Sequence, residues 1–102
     1  MSSGSAKAFP KYIFRLYITG ATHHSMEAVK NIKIFCESHL EDGEYDLDII
    51  DVYQQPYLAK EEQIIAAPTL IKIEPHPIRR IIGDMSDTEK ILNVLNIRKN
   101  DE

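Results

Sequence analysis

Residues 66–84 read AAPTLIKIEPHPIRRIIGD, and this stretch decides how the second half of the chain folds. Two short apolar runs, TLIKI at 69–73 and IRRII at 78–82, flank the sequence EPHP. Prolines suit a tight connection between strands and disfavour a helix. The stretch therefore predicts a β-hairpin over residues 69–82.

A βαβ unit is predicted upstream of this hairpin. Residues 11–19, KYIFRLYIT, are rich in β-branched and aromatic residues and apolar on both faces, which is typical of a central strand. Apolar residues then recur at three- and four-residue spacing from Met26 to Leu40, which indicates a helix. Residues 45–52, YDLDIIDV, favour a second strand, and we expect the two strands to pair in parallel.

Two further helices are predicted around the hairpin. Residues 54–67 fit a short helix that begins near Pro56, because proline is tolerated in a first turn. Residues 86–89, SDTE, have the form of a capping box with Ser86 as the N-cap, and an apolar stripe follows. The order βαβαββα, with helices on both faces of the sheet, is the thioredoxin-like α/β arrangement. The β-branched residues of KILNVLNI at 90–97 also permit a strand there.

Length and composition indicate one compact domain in 102 residues. We expect residues 9–97 to form this domain, with a disordered segment at 1–8 and a polar tail at 98–102. Twelve basic and sixteen acidic side chains give a formal net charge of -4, which disfavours nucleic acid as a partner. No apolar run approaches the roughly 20 residues of a membrane span, and the N-terminus lacks the apolar segment of a signal peptide. A cytoplasmic protein with no membrane partner is expected.

The residues with catalytic potential do not form a catalytic pattern. Cys36 is the only cysteine, so the chain contains no CxxC pair and no thiolate zinc cluster, which excludes a dithiol oxidoreductase. His23 and His24 are adjacent, and their side chains diverge on a helix instead of converging on one metal. The four glycines form no phosphate-binding loop. We therefore predict no metal site and no cofactor.

A local basic patch is the strongest candidate for binding. Lys72, Arg79 and Arg80 fall together if residues 69–82 form a hairpin, although the chain as a whole is acidic. Such a patch can dock an acidic protein partner, and an ordinary charged face is the alternative interpretation. Adjacent arginines on a strand point to opposite faces, so one of the two can pack its stem at the edge of the core.

Two stretches resemble the KaiB family of small clock proteins from cyanobacteria and other bacteria. They are FRLYITGATHHSMEAVKNIK at 14–33 and DIIDVYQQPYLAKEEQIIAAPTLIKIEPHPIRRIIGDMSDTEKIL at 48–92, in which PTL, the proline-rich turn and RRIIGD are the most specific part. The resemblance covers about residues 11–97. It implies a protein that is not an enzyme and that binds a KaiC-like hexameric ATPase and kinase, modulating its phosphorylation and output. KaiA, or a sensor kinase with a KaiB-like domain, is a further implied partner.

The resemblance also implies a metamorphic fold and a homo-oligomer, either a dimer or a tetramer. Members of the family have a tetrameric resting form of order βαββααβ, whereas the form that binds KaiC is thioredoxin-like. Two packings of one sequence can coexist when they differ by only a few kcal/mol. Thioredoxin-like proteins keep a cis proline at the position that matches Pro68, and X–Pro isomerisation is slow enough to gate a refolding step. The candidate positions for this switch are Pro68, Pro75, Pro77, Gly83 and Asp84.

The chain departs from the family pattern in ways that bear on its role. Cyanobacterial members usually carry glycine and aspartate where this chain has Val94 and Asn96, and a basic residue where it has Ala28. A role in a simplified timer or in stress adaptation is therefore an alternative to a role in a true circadian oscillator. Two other functions stay open at this point: a thioredoxin-like sensor module of a histidine kinase, and a thioredoxin-like redox protein. The redox function would need a thiol near Thr22, where the chain has none.

Overall fold

Seven elements follow one another within residues 10–64 and 67–97, the part of the chain that the computed structural model describes. They are β1 (Tyr12–Ile18), α1 (His23–His39), β2 (Tyr45–Asp51), α2 (Pro56–Glu61), β3 (Thr69–Glu74), β4 (Arg79–Ile82) and α3 (Thr88–Val94). The predicted order βαβαββα is confirmed. The predicted N-terminal segment 1–8 and the polar tail 98–102 lie outside the described residues.

The four strands form one mixed sheet in the order β2-β1-β3-β4. β1 pairs in parallel with β2, and Phe14 lies opposite Leu47. It pairs in the antiparallel direction with β3, where Leu16 lies opposite Leu70. β3 and β4 form the antiparallel hairpin that the proline-rich stretch predicts, with Leu70 opposite Ile81. Both predicted pairings are therefore confirmed.

The larger core lies between one face of this sheet and the helices α1 and α3. Because side chains alternate along a strand, every second residue of β1 enters this core, including the fully buried Phe14 and Leu16, and β3 contributes Leu70. α1 contributes a stripe of buried residues at helical spacing: Ala28, Ile32, Phe35 and Cys36. Met26 was expected on this apolar side, but it is 43% exposed, because it lies off the buried stripe that begins at the neighbouring Ser25.

A smaller core lies on the opposite face, under α2. Its buried members are Tyr17, Ile50 and Ile71, and the half-buried Leu58 and Ile64 pack against them. The Tyr17 hydroxyl is buried and has no hydrogen-bond partner among the described residues. The sheet is therefore covered unequally, because two helices pack on one face and a single short helix packs on the other.

The beginning of α3 differs from the predicted capping box. Asp87, not Ser86, is the N-cap, and its side chain accepts a hydrogen bond from the Lys90 amide at 3.1 Å. The Ser86 amide instead donates to the Asp84 carboxylate at 3.1 Å. The prediction was wrong by one residue, because serine and aspartate are equally good N-caps and the sequence does not distinguish between them. Residues 88–94 are helical, and the alternative strand over 90–97 is absent from this fold.

Candidate partner-binding surface

The loop between β1 and α1 contains no cysteine. Thr22 is the N-cap of α1, and its side chain accepts a hydrogen bond from the Ser25 amide at 3.4 Å. His23 and His24 follow in the first turn and are exposed. A thioredoxin-like redox protein carries its cysteines at this point of the fold, and here the residues are threonine and histidine. This loop therefore cannot perform dithiol chemistry.

Cys36 lies far from that loop, inside the larger core. It is fully buried on the sheet-facing side of α1. Burial, with a smaller contribution from Glu37, raises the pKa of the Cys36 thiol to about 12. A thiol that is both inaccessible and protonated behaves as a small apolar side chain.

The described residues offer no metal centre. Across residues 10–64 and 67–97, no three His, Cys, Asp or Glu side chains are grouped so that they could hold an ion. The same part of the chain contains no helix that is long and apolar enough to cross a membrane.

Lys72, the first member of the predicted basic patch, is not on the surface. Its side chain is only 1% exposed, and its Nζ donates a hydrogen bond to the Pro75 carbonyl oxygen at 2.7 Å. Burial lowers the pKa of the Lys72 ammonium, and the neighbouring Arg79 lowers it further. In this fold, the predicted patch is therefore reduced to its two arginines.

Arg79 and Arg80 are both exposed on β4, but they lie on opposite faces of the sheet. Arg79 is paired with Lys72 and shares the face of the larger core, whereas Arg80 is paired with Ile71 and shares the face of the smaller core. Among residues 10–64 and 67–97, Arg79 forms no salt bridge, so its guanidinium is open to a partner. Its binding role stays a prediction.

Arg80 is already engaged within the molecule. Its Nη2 donates to the Glu62 carbonyl oxygen at 2.5 Å, and its Nη1 donates to the Gln63 carbonyl oxygen at 3.5 Å. The Glu62 carboxylate also lies 3.7 Å from Arg80 Nη2 and 3.9 Å from Arg15 Nη1. A partner that binds Arg80 would have to compete with these contacts.

The candidate switch positions surround the hairpin. Pro68 is buried next to β3, its peptide bond with Ala67 is cis, and its carbonyl oxygen accepts a hydrogen bond from the Gly83 amide at 3.0 Å. Pro75 and Pro77 are exposed in the turn between β3 and β4.

Asp84, another candidate switch position, contacts α1, because its carbonyl oxygen accepts a hydrogen bond from Asn31 Nδ2 at 2.8 Å. Hydrogen bonds from Ser86 lower the pKa of the Asp84 carboxyl. The role of these positions in fold switching stays a prediction.

Two exposed tyrosines escape sequence reasoning. Tyr53 and Tyr57 follow β2 and are 72% and 68% exposed, although aromatic residues usually bury much of their surface. Asp51 holds the loop that carries the first of them, because its Oδ1 accepts hydrogen bonds from the Tyr53 amide at 2.9 Å and from the Gly20 amide at 3.1 Å. Tyr53 lies in the loop after β2 and Tyr57 in α2, and the local sequence does not reveal that both rings face solvent.

Comparison with known proteins decides the family. The KaiB domain model matches residues 15–97, which include every element except the beginning of β1. This chain belongs to the KaiB family. It is 51% identical over 87 residues to the circadian clock protein KaiB3 of a Synechocystis species, covering 85% of this chain and 84% of that protein. The circadian clock oscillator protein KaiB of Prochlorococcus marinus is 50% identical over 86 residues, which cover 84% of this chain and 79% of that protein.

Solved structures show the same fold for this KaiB-family chain. The N-terminal domain of Synechococcus elongatus SasA superposes with a TM-score of 0.70 at 18% identity, covering 92% of this chain and 91% of that domain. Fasciola hepatica thioredoxin gives a TM-score of 0.69 at 15% identity and covers 92% of this chain and 86% of the thioredoxin. At these identities the likeness concerns the fold alone. The thioredoxin-like fold without a CxxC pair, expected for a KaiB-family member, is confirmed.

Proposed function

We propose that this protein is a non-enzymatic regulator that binds a KaiC-like hexameric ATPase and modulates its phosphorylation and output. The observation that carries the proposal is that about half of the aligned residues, over most of the chain, are identical to those of circadian clock proteins. This level of sequence identity to KaiB proteins supports binding to the same class of partner. The biological output is a circadian rhythm, a simpler timer or a stress response. The protein acts in the cytoplasm.

The chemistry of the chain supports binding over catalysis. The position of a thioredoxin redox pair holds Thr22 and His23, and the single cysteine is buried with a raised pKa. The redox alternative therefore has no thiolate to work with. KaiA or a SasA-type sensor kinase is a further candidate partner, because each is expected to share the clock assembly with the ATPase.

We place the contact with the ATPase at the hairpin turn and the start of β4. Arg79 offers an exposed guanidinium there, and the adjacent Ile78 is 51% exposed. Pro75 and Pro77 restrict the backbone of this turn, so less conformational freedom is lost on binding. An acidic, partly apolar surface on the ATPase would complement this site.

Size-exclusion chromatography with light scattering tests the proposal. The protein is incubated for hours, alone and with the KaiC-type ATPase of the same organism plus ATP, and we expect a co-eluting complex. The run without the ATPase also reports whether the protein is a monomer, a dimer or a tetramer. In parallel, we expect the phosphorylation state of the ATPase to change when this protein is added.

Two variants with the same change of charge test whether the hairpin is the binding site. We expect Arg79→Glu to weaken the complex by about tenfold or more, because it places a like charge against an acidic surface. Lys33→Glu changes an exposed lysine on α1 by the same charge and should leave the affinity unchanged. Absence of any complex after long incubation would contradict the proposed function, and equal weakening by both variants would contradict the proposed site.

A further inference from the structure

α2 has little to hold it on the sheet. It spans six residues, far fewer than an isolated helix needs to be stable in water. None of these residues is buried, and Leu58 is its half-buried contact with the smaller core. At the N-terminal end, Gln55 occupies the cap position without a side-chain hydrogen bond. A second anchor is therefore needed at the other end of the helix.

That anchor is visible in the hydrogen bonds of the C-terminal turn. The last carbonyl groups of a helix lack partners within the helix and need them from elsewhere. Here, successive amides close the turn: Glu62 N donates to Leu58 O, Gln63 N to Lys60 O, and Ile64 N to Ala59 O. Beyond the Glu61 carbonyl, the carbonyl groups of Glu62 and Gln63 accept hydrogen bonds from the Arg80 guanidinium. An arginine on β4 thus completes the end of a helix that precedes it by about 20 residues in sequence.

We propose that these contacts form a clasp, consisting of Arg80, Glu62 and Gln63, that keeps α2 docked on the sheet. Loss of the clasp opens α2 locally and leaves the sheet folded. The guanidinium suits this role because its planar fork can donate to two acceptors at once, which a lysine ammonium cannot do in the same geometry. The carbonyl contacts dominate, since the carboxylate of Glu62 is 36% exposed and lies beyond hydrogen-bond distance from Arg80.

Opening of the clasp would change the surface of the protein. The buried residues Tyr17, Ile50 and Ile71 lie beneath α2, so its release exposes them to water. If an acidic partner docks on the Arg80 face of β4 as well as at Arg79, a point that rests on the proposed function, its carboxylates compete with the end of α2 for Arg80. The clasp itself can be tested on the protein alone, so its failure and the failure of partner binding are distinguishable.

Amide hydrogen exchange, measured residue by residue by NMR, tests the clasp. Arg80→Met keeps the aliphatic stem and removes the guanidinium, and we expect the Glu62, Gln63 and Ile64 amides to exchange about five- to tenfold faster. The amides of β1 and β3 should keep their exchange rates and serve as the internal reference. Arg79→Met removes the same group from the adjacent, opposite-facing position and should leave the α2 amides unchanged.

Two further variants separate the parts of the clasp. Glu62→Gln removes the carboxylate but retains both backbone carbonyl groups, so it should accelerate the α2 amides by less than about threefold. Arg80→Lys should fall between the parent protein and Arg80→Met. The proposal is overturned if Arg80→Met leaves the α2 amides unchanged, or if Arg79→Met accelerates them equally. Uniform acceleration throughout the sheet would also overturn it, because the clasp is a local anchor.

Discussion

Lys72 lies on the central strand β3, and its ammonium group is buried in the interior of the protein. Its side chain is 1% exposed, and its Nζ donates a hydrogen bond to the Pro75 carbonyl oxygen. Charged side chains are rarely buried without an ionic partner, since the lost hydration outweighs a single hydrogen bond. The lowered pKa of the Lys72 ammonium expresses the same cost, because burial disfavours its charged form.

We predict that Lys72→Met stabilises the protein by about 1 kcal/mol at pH 7 and that this gain shrinks as the pH rises. At pH values below the folded-state pKa, the Lys72 ammonium is protonated in both states, so the burial cost is present in full. Because its pKa is lower in the folded state, the folded protein releases the proton first as the pH approaches about 10.4, and the parent protein recovers stability. Urea unfolding of both proteins at pH 7 and pH 9.5 measures the two differences.

Lys33→Met is the control for this prediction, because Lys33 is exposed on α1. Its effect on the free energy of unfolding should be small and should not change between the two pH values. A Lys72→Met effect that stays constant from pH 7 to pH 9.5 would show that the buried charge is not the cause.

At the scale of elements, the C-terminal end of α2 is a Schellman motif built on an unusual residue. Ile64 N donates to Ala59 O and Gln63 N donates to Lys60 O, which is the hydrogen-bond pattern of this motif. Gln63 has a φ of 57°, in the left-handed region where glycine is usual. A side chain raises the energy of this conformation, so the helix end carries backbone strain.

We predict that Gln63→Gly stabilises the protein by about 0.5 to 1 kcal/mol, because glycine adopts this φ without a steric penalty. The comparison variant is Glu61→Gly, which places glycine in the last helical residue and should destabilise by about the same amount. Thermal or urea unfolding of the two variants and the parent protein measures the difference. A loss of stability in Gln63→Gly would mean that the glutamine side chain contributes more than the strain costs.

The sequence predicts the elements better than it predicts their burial. The order of elements and the hairpin follow from punctuation by Pro and Gly and from apolar spacing, all of which are local signals. The burial of Lys72 is not local, because it depends on β3 being covered on both sides, which only the tertiary fold reveals. The contact between Glu62 and Arg80 cannot be predicted from local sequence signals either, because the two residues are distant in sequence. The N-cap was misplaced because Ser86 and Asp87 are equally suitable.

For the whole molecule, the two faces of the sheet make unequal contributions to stability. The larger core contains residues from all four strands or their flanks together with α1 and α3, whereas three buried residues form the core under α2. One of these three, Tyr17, has a buried hydroxyl without a hydrogen-bond partner among the described residues, at a cost of about 1 to 3 kcal/mol. We expect the α2 side to open more readily than the rest of the molecule.

Leu70 and Ile71 allow a direct comparison of the two cores, because they are neighbours on β3, are both buried and face opposite sides. We predict that Leu70→Ala costs about 4 kcal/mol and Ile71→Ala about 2 kcal/mol, since the thinner α2 side can relax around a cavity more easily. Equilibrium urea unfolding gives both values. Equal costs, or a larger cost for Ile71→Ala, would contradict the unequal division of the core.

The β1–β3 ladder is where the N-terminal βαβ unit and the C-terminal hairpin join. Its residue pairs, such as Ile13 with Glu74 and Tyr17 with Thr69, connect positions more than fifty residues apart in sequence. The entropy of closing so long a loop must be lost before these contacts form, and folding slows as contacts become less local. The time this protein needs to fold is therefore set by the meeting of its two halves, and not by the formation of its helices.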